Sequence, residues 1–230
     1  NGPPPRHRRP GPPACPQKNQ MTSTPAQETS LSRVIRTRRS VRAFTSREID
    51  EALVRHAVAQ AAWAPSGGNL QPWHVVVLKG EPLRTLKDLM ARRVQEAPDG
   101  EGVDGEAPDF RIYPTPLMAP YRERRMSFAN ALYSSMGIGR DDLHARRRWH
   151  QNNLQFFGAP VGLFFYVDRN HGCAQWADVG MYLMSLMLLL KEAGVDSCAQ
   201  ESWARYARTV DAFVHPPPEH MLYCGMAVGY

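Results

Sequence analysis

The sequence predicts an α+β domain, and three observations carry that prediction. Short apolar runs at residues 74–78, 161–167 and 221–228 have the length and the β-branched or aromatic content of buried strands. Between them lie longer stretches whose apolar residues recur every three to four positions, the period of an amphipathic helix. No internal repeat and no second-domain boundary interrupts the pattern, so a single core accounts for it.

Taken in order, residues 31–37 read as a short helix with Leu31, Val34 and Ile35 on one side. Thr45, Ser46, Arg47 and Glu48 have the spacing of a capping box. The helix they would open carries the ridges Ile49/Leu53/Ala57/Ala61 and Val54/Val58/Ala62. Residues 64–69, with two adjacent glycines, end it in a loop before the first strand. Residues 81–96 predict a surface helix. Residues 97–120, rich in acids, glycines and prolines, predict a disordered stretch or a binding lid. Helices follow at 121–135 and 140–157, then the second strand. Residues 175–192 are apolar nearly all round, with Trp176, Val179, Leu183, Met187 and Leu190 on one face and Met181, Met184 and Leu188 on others. Such a helix needs cover on all sides, from the core or from another subunit. A further helix at 202–213, a break at Pro216, Pro217 and Pro218, and the third strand complete the chain.

Composition removes several classes of function. The formal charge is +6, but Arg6, Arg8, Arg9 and Lys18 supply +4 of it within residues 1–20, which hold 7 of the 20 prolines. The other residues carry 24 basic and 22 acidic side chains, a net +2. A Pro- and charge-rich segment cannot bury enough apolar surface to offset its ordering entropy, so residues 1–25 are expected to be a disordered tail and 26–230 the folded domain. Residues 1–20 are further expected to be upstream sequence, with the natural start near Met21. A near-neutral core predicts no nucleic-acid partner, and the tail lacks the interleaved aromatics that stack on bases. The longest mainly apolar run, at 181–190, is half of what a membrane helix needs, so no membrane partner is expected. Cys15, Cys173, Cys198 and Cys224 form no C-x-x-C pair and no zinc spacing. They predict a reduced, cytoplasmic protein without a metal site.

Two constellations can carry chemistry. Arg38, Arg39 and Arg42 cluster around Ser40; guanidinium forks match phosphate oxygens, and the hydroxyl adds a donor. The same residues also fit a solvated basic helix end, favourable against the macrodipole. The loop Pro65, Ser66, Gly67, Gly68, Asn69, Leu70, Gln71 offers close backbone approach and mixed donors and acceptors, suited to a heterocycle edge. It equally fits an ordinary helix-to-strand turn. No dinucleotide, P-loop, nucleophile-elbow or zincin motif occurs. His171 and Cys173 fit structural roles better than a nucleophile pair.

Six stretches in order resemble the flavin-dependent nitroreductase family. They are residues 38–42, 64–73, 153–160, 176–180, 197–203 and 224–230, spanning the chain from about Leu31 to its last residue. The nearest flavour is the nitrobenzoate-reductase type. The resemblance implies a central, mostly antiparallel sheet flanked by helices in an intertwined homodimer. It implies FMN as cofactor, with Arg38, Arg39, Ser40 and Arg42 on its phosphate and ribityl chain. Pro65, Ser66, Gly67, Asn69 and Gln71 would reach the flavin bound mainly by the partner subunit, and Ala199, Gln200 and Glu201 would lie near N5. The chemistry then belongs to the flavin, and no side-chain nucleophile is expected. Hydride would pass from NAD(P)H through N5 to a nitroaromatic or related small aromatic acceptor in a ping-pong cycle. The alternative on this scaffold is reductive dehalogenation or another flavin reaction, and the rival outside it is a non-catalytic flavin- or nucleic-acid-binding protein. Substrate choice would lie in the segment around Tyr113 and residues 121–125. Family members usually continue beyond the last strand with another basic residue and an arm, so a weaker grip or a fragment is expected here.

Overall fold

Among the described residues four strands make the central sheet: β1 (His74–Lys79), β2 (Val161–Asp168), β3 (Asp196–Gln200) and β4 (His220–Gly229). Their spatial order is β1-β2-β4-β3 and every neighbouring pair is antiparallel. The helices are α1 (Ser30–Thr37), α2 (Glu51–Ala61), α3 (Gly80–Glu96), α4 (Tyr121–Ser135), α5 (Leu143–Gln151), α6 (Cys173–Glu192) and α7 (Ala207–Val214). The structure is a computed structural model that describes residues 29–96 and 106–230. The expected tail and the first part of the expected lid, 97–105, lie outside the described residues.

Alternation along β2 explains the architecture. Val161, Leu163, Phe165 and Val167 face a core shared with α2 and α6, while Phe164 and Tyr166 face a second core shared with α3 and α7. Both faces are covered, which is why an antiparallel strand reads as a continuous apolar run. On the second face Gly162 and Gly225 leave hollows in the sheet. An added Cβ would fall 2.6 Å from the Phe156 ring at Gly162 and 2.3 Å from Trp203 at Gly225. The two rings fill those hollows, stacked on each other at 4.6 Å.

Several boundaries depart from the sequence expectation. The α2 helix begins at Glu51, not after Thr45: Asp50 caps it through the Ala52 amide, 2.9 Å away. Residues 44–45 are held extended instead, since Phe44 and Thr45 donate to the carbonyls of Phe157 and Tyr230. Ile49, expected inside the helix, packs just ahead of it in the same core as Val54, a hydrophobic staple. The helix expected over 140–157 stops at Gln151. A 3-10 segment, Asn152–Gly158, follows, in which Phe156 and Phe157 take φ of 48° and 52° and turn both rings inward. A 3-10 segment, Glu201–Tyr206, likewise precedes α7. The first strand lies at the sheet edge, half-exposed rather than buried. No strand was expected over 196–200, because Asp196, Ser197 and Gln200 carry no strand signature.

The α6 helix buries Val179, Tyr182, Leu183, Leu186 and Leu190, and the Tyr182 hydroxyl donates to the Val58 carbonyl of α2 at 2.9 Å. Burial pushes that phenol up to about 12. Met181 is 39% exposed, so the chain alone does not cover the helix all round. Its length and hydropathy would also suffice to cross a membrane, the single such helix among the described residues; here it packs against α2 and β3.

His74 and His220 stack at 3.9 Å at one end of the sheet. Desolvation first, then the neighbouring His220 and His171, hold His74 below its ordinary 6.5, against the opposing pull of Asp168 and Glu219. A depressed imidazole favours the neutral form in the fold. Its contribution is present above 6.5 and lost as pH falls through the folded value. Thermal unfolding of His74→Gln should therefore show a smaller loss of Tm between neutral and mildly acidic pH than the parent. An equal or larger loss would contradict this.

Candidate functional site

The exposed edge of β3 is where the first basic cluster arrives. Thr29 caps α1, accepting from the Ser32 amide at 3.3 Å, and the helix ends as Arg38 donates its amide to Val34 at 2.9 Å. The chain then runs extended beside β3: Ser40 bridges Ser197 in parallel, and Val41 donates to the Ser197 carbonyl at 3.2 Å. Alternation along extended backbone separates Arg38, Ser40 and Arg42 from Arg39. The Arg39 guanidinium turns back onto the carbonyls of Arg36 and Arg38, at 2.6 and 2.9 Å. Arg38 and Arg42 instead lie close enough to Cys198 to oppose the rise that burial imposes on its thiol. The Nε of Arg38 is buried without a hydrogen-bond partner.

Beside them opens a cavity of about 400 Å³. Arg42, Cys198, Ala199, Gln200 and Glu201 form one wall, and Arg125, Phe128, Leu132, Trp149 and His150 from α4 and α5 form the opposite one. Arg42 donates to the Ser40 carbonyl at 3.1 Å, and its guanidinium lies 5.3 Å from the Phe128 ring. Tyr223 enters from β4 because the register of β2 and β4 shifts between Phe165 and Tyr166, leaving Tyr223 as the extra residue of a bulge. Tyr113 closes one side. Its hydroxyl, raised first by burial and then by Glu201, donates to the Glu201 carboxylate, and the Arg125 guanidinium sits 4.3 Å over its ring. Desolvation and Arg125 lower His150, whose Nε2 is 3.4 Å from the Ser202 hydroxyl.

Gln200 sits in this wall, but its side chain works inward. Its Nε2 donates to the Asn153 carbonyl at 2.8 Å, and Trp203 donates to its Oε1 at 3.4 Å. Both groups are buried. Gln200→Ala should lower the unfolding free energy by about 1–3 kcal/mol, since it strands buried polar partners. Unchanged urea unfolding would contradict that role.

The Pro65–Gln71 loop lies elsewhere in the chain. Gly67 donates to the buried Asp178 carboxylate of α6 at 3.1 Å, and Ser66 accepts from the Gln71 amide at 3.0 Å. Gln71 donates to Asn69 at 3.2 Å, both on backbone with positive φ. None of Pro65, Ser66, Gly67, Asn69 or Gln71 lines the cavity. Thus Arg42, Ala199, Gln200 and Glu201 meet at one cavity with Arg38 adjacent, while Arg39 and the loop residues do not line it. Phe128, Trp149, His150 and Tyr223 escaped the sequence reading. The spacing of Arg125, Phe128, Ala129 and Leu132 is that of one helical face and could have revealed the α4 wall.

Residues 35–230 match the profile described as the Nitroreductase family. A 4-nitrobenzoate reductase of Pseudomonas putida is 35% identical over 197 residues, covering 86% of this chain and 83% of that protein. The solved FMN and NADPH-dependent nitroreductase NfnB from sphigopyxis sp. strain HMH is 44% identical, with a TM-score of 0.82 and 88% of each chain covered. The FMN-dependent nitroreductase NfnB from Mycobacterium smegmatis, solved in complex with NADPH, is 31% identical with a TM-score of 0.79 and 86% of each chain covered.

Proposed function

This chain belongs to the nitroreductase family, and from that premise we propose that it is an FMN-dependent NAD(P)H oxidoreductase that reduces nitroaromatic compounds. The observation that carries the proposal is the pairing of Arg38 and Arg42 at the β3 edge. A buried guanidinium nitrogen without a partner lies beside a second guanidinium on the wall of a ring-sized cavity. Buried donors of that kind are matched by an anionic group, so the residues present fit a flavin phosphate and its ribityl chain. Ser40 adds a hydroxyl on the same side of the segment. Ala199 and Glu201 offer a polar strand end to the ring, and Trp149, Phe128 and Tyr223 form apolar walls that exclude water. Bound there, the flavin supplies hydride transfer between the nicotinamide donor and the nitro acceptor. No cavity side chain is needed as a nucleophile.

The same geometry supports a homodimer. The loop at 65–71 does not line the cavity in its own chain, and the neighbouring Trp63 is 85% exposed. Met181 of α6 and Leu31 and Ile35 of α1 are also exposed apolar side chains. A two-fold assembly would cover these residues and carry the loop of a second copy, with Ser66, Gly67, Asn69 and Gln71, toward the cavity. Cys173, Cys198 and Cys224 are free, which fits the cytoplasmic location included in this proposal.

Protein saturated with FMN should oxidise NADPH rapidly when 4-nitrobenzoate or nitrobenzene is added, with the hydroxylamine or amine as product. Absence of acceptor-dependent oxidation would refute the proposal. Turnover of a halophenol without any nitroarene would replace it with reductive dehalogenation.

A further inference from the structure

The α4 helix turns one stripe toward the cavity. Arg125, Phe128, Ala129 and Leu132 line it at the i, i+3, i+4 and i+7 spacing of a single helical face. Apart from Arg125 the stripe is apolar, so it offers a hydrocarbon surface with one cation at its end. The neighbouring arginines are engaged elsewhere: Arg122 pairs with Glu123 at 3.8 Å, and the Arg124 guanidinium lies 5.9 Å from the Tyr121 ring. Arg125 is oriented without being neutralised. Its guanidinium sits 4.3 Å over the ring of Tyr113, whose hydroxyl is spent on Glu201. Glu201 is the one acid among the described residues that line the cavity, and no ion pair joins it to Arg125. Desolvation and then Arg125 itself hold the adjacent His150 below its ordinary value, so the imidazole adds no second positive charge at neutral pH.

We propose that Arg125 is a specificity-determining residue that selects nitroaromatic acids, gripping the carboxylate of the acceptor while its ring lies along Phe128 and Leu132. The assignment rests on the functional reading above and adds to it the class of acceptor. A nitrobenzoate has the same division as the stripe, a planar apolar ring with one anion at the end away from the nitro group. The guanidinium fork meets a carboxylate with two parallel hydrogen bonds, whereas a neutral nitroarene offers it nothing. A neutral ring seated on the stripe also draws Arg125 out of water without compensation, so discrimination has a repulsive part as well as an attractive one. The Tyr113 ring beneath the guanidinium restricts it before the acceptor arrives, which lowers the ordering cost of binding. Arg42 is not an equivalent partner, because it donates to the Ser40 carbonyl and belongs to the phosphate grip.

The test uses FMN-saturated protein, with benzoate and its neutral isostere benzamide as binding probes followed by calorimetry, alongside kcat/KM for 4-nitrobenzoate and for nitrobenzene. Wild type should bind benzoate more tightly than benzamide, and added salt should narrow the gap. In Arg125→Gln the affinity ratio of benzoate to benzamide should fall by roughly tenfold or more, and the kcat/KM ratio of 4-nitrobenzoate to nitrobenzene should fall with it. Arg125→Lys keeps the charge but not the fork, so it should restore part of both ratios. Arg125→Glu, at an exposed position, should shift the preference toward the cationic 4-nitrobenzylamine. The assignment is overturned if wild type binds the two probes alike, or if the Gln and Glu variants leave both ratios unchanged. It is also overturned if those variants lose flavin or slow flavin reduction by NADPH while the ratios hold, since Arg125 then serves a cofactor. Wild type that takes up no FMN and reduces neither nitroarene would instead remove the functional reading itself. Active wild type with unchanged ratios in the variants removes only the role of Arg125.

Discussion

Arg38→Ala/Arg42→Ala is expected to purify without flavin and to resist loading with added FMN. Each guanidinium contributes a charge-assisted contact of about 1.5–3 kcal/mol, so losing both weakens binding by roughly two to four orders of magnitude. The effect should be far smaller for Arg39→Ala, because that side chain is engaged with the carbonyls of Arg36 and Arg38 and faces away from the cavity. The measurement is flavin-to-protein ratio by absorbance, with melting of the flavin-free proteins as control. The Arg38 Nε has no internal partner, so its removal should not destabilise the flavin-free fold. A double variant that still binds flavin at full ratio would contradict the grip assigned to these residues. So would Arg39→Ala losing flavin as completely as the double variant.

Gly225→Ala should be among the most damaging single substitutions, costing about 3 kcal/mol or more. The added methyl would stand 2.3 Å from Cδ1 of Trp203, a side chain with no solvent exposure. The indole cannot retreat: the Phe156 ring is stacked against it at 4.6 Å and the Phe164 ring meets it edge-on at 5.0 Å. The damage reaches the site, since Gly225 pairs with Gln200 at the end of β3 and Trp203 donates to Gln200. Denaturant unfolding of the single variants and the double variant Gly225→Ala/Trp203→Leu makes the argument quantitative. The double variant should be more stable than the sum of the two single losses allows. Strict additivity would show that the two positions do not compete for the same space.

How much of this was legible in the sequence follows from what each signal reports. The strands β2 and β4 and the helix α6 were readable because burial on both faces writes itself as unbroken apolar runs. The β3 strand was not, because it lies at the sheet edge and uses Asp196, Ser197 and Gln200 for pairing and internal hydrogen bonds rather than for apolar packing. The start of α2 was misplaced because Thr45 has the chemistry of a cap, while its backbone is tied to Tyr230, 185 positions later in the chain. Local propensity carries no information about such a distant bond. At the site, Arg42 was visible in the basic cluster around Ser40, while residues 199–201 came only through the family resemblance. The loss of Arg39 from the cavity follows from the extended backbone at Ser40, which only the pairing with Ser197 dictates. The loop at 65–71 shows the opposite case: its polar residues were visible, but hydrogen bonds to Asp178 and among themselves hold them away from this chain's cavity.

The central claim, that the cleft beside Arg38 and Arg42 holds a flavin that accepts hydride from a nicotinamide donor, is tested most directly by one absorbance experiment. The purified protein is titrated with FMN, then treated without oxygen with NADPH, then with 4-nitrobenzoate. Saturation at one FMN per chain, loss of the flavin band on adding NADPH and its return on adding the nitroarene are the expected results. Failure to bind FMN at micromolar concentration, or a flavin band unmoved by NADPH, would contradict the account.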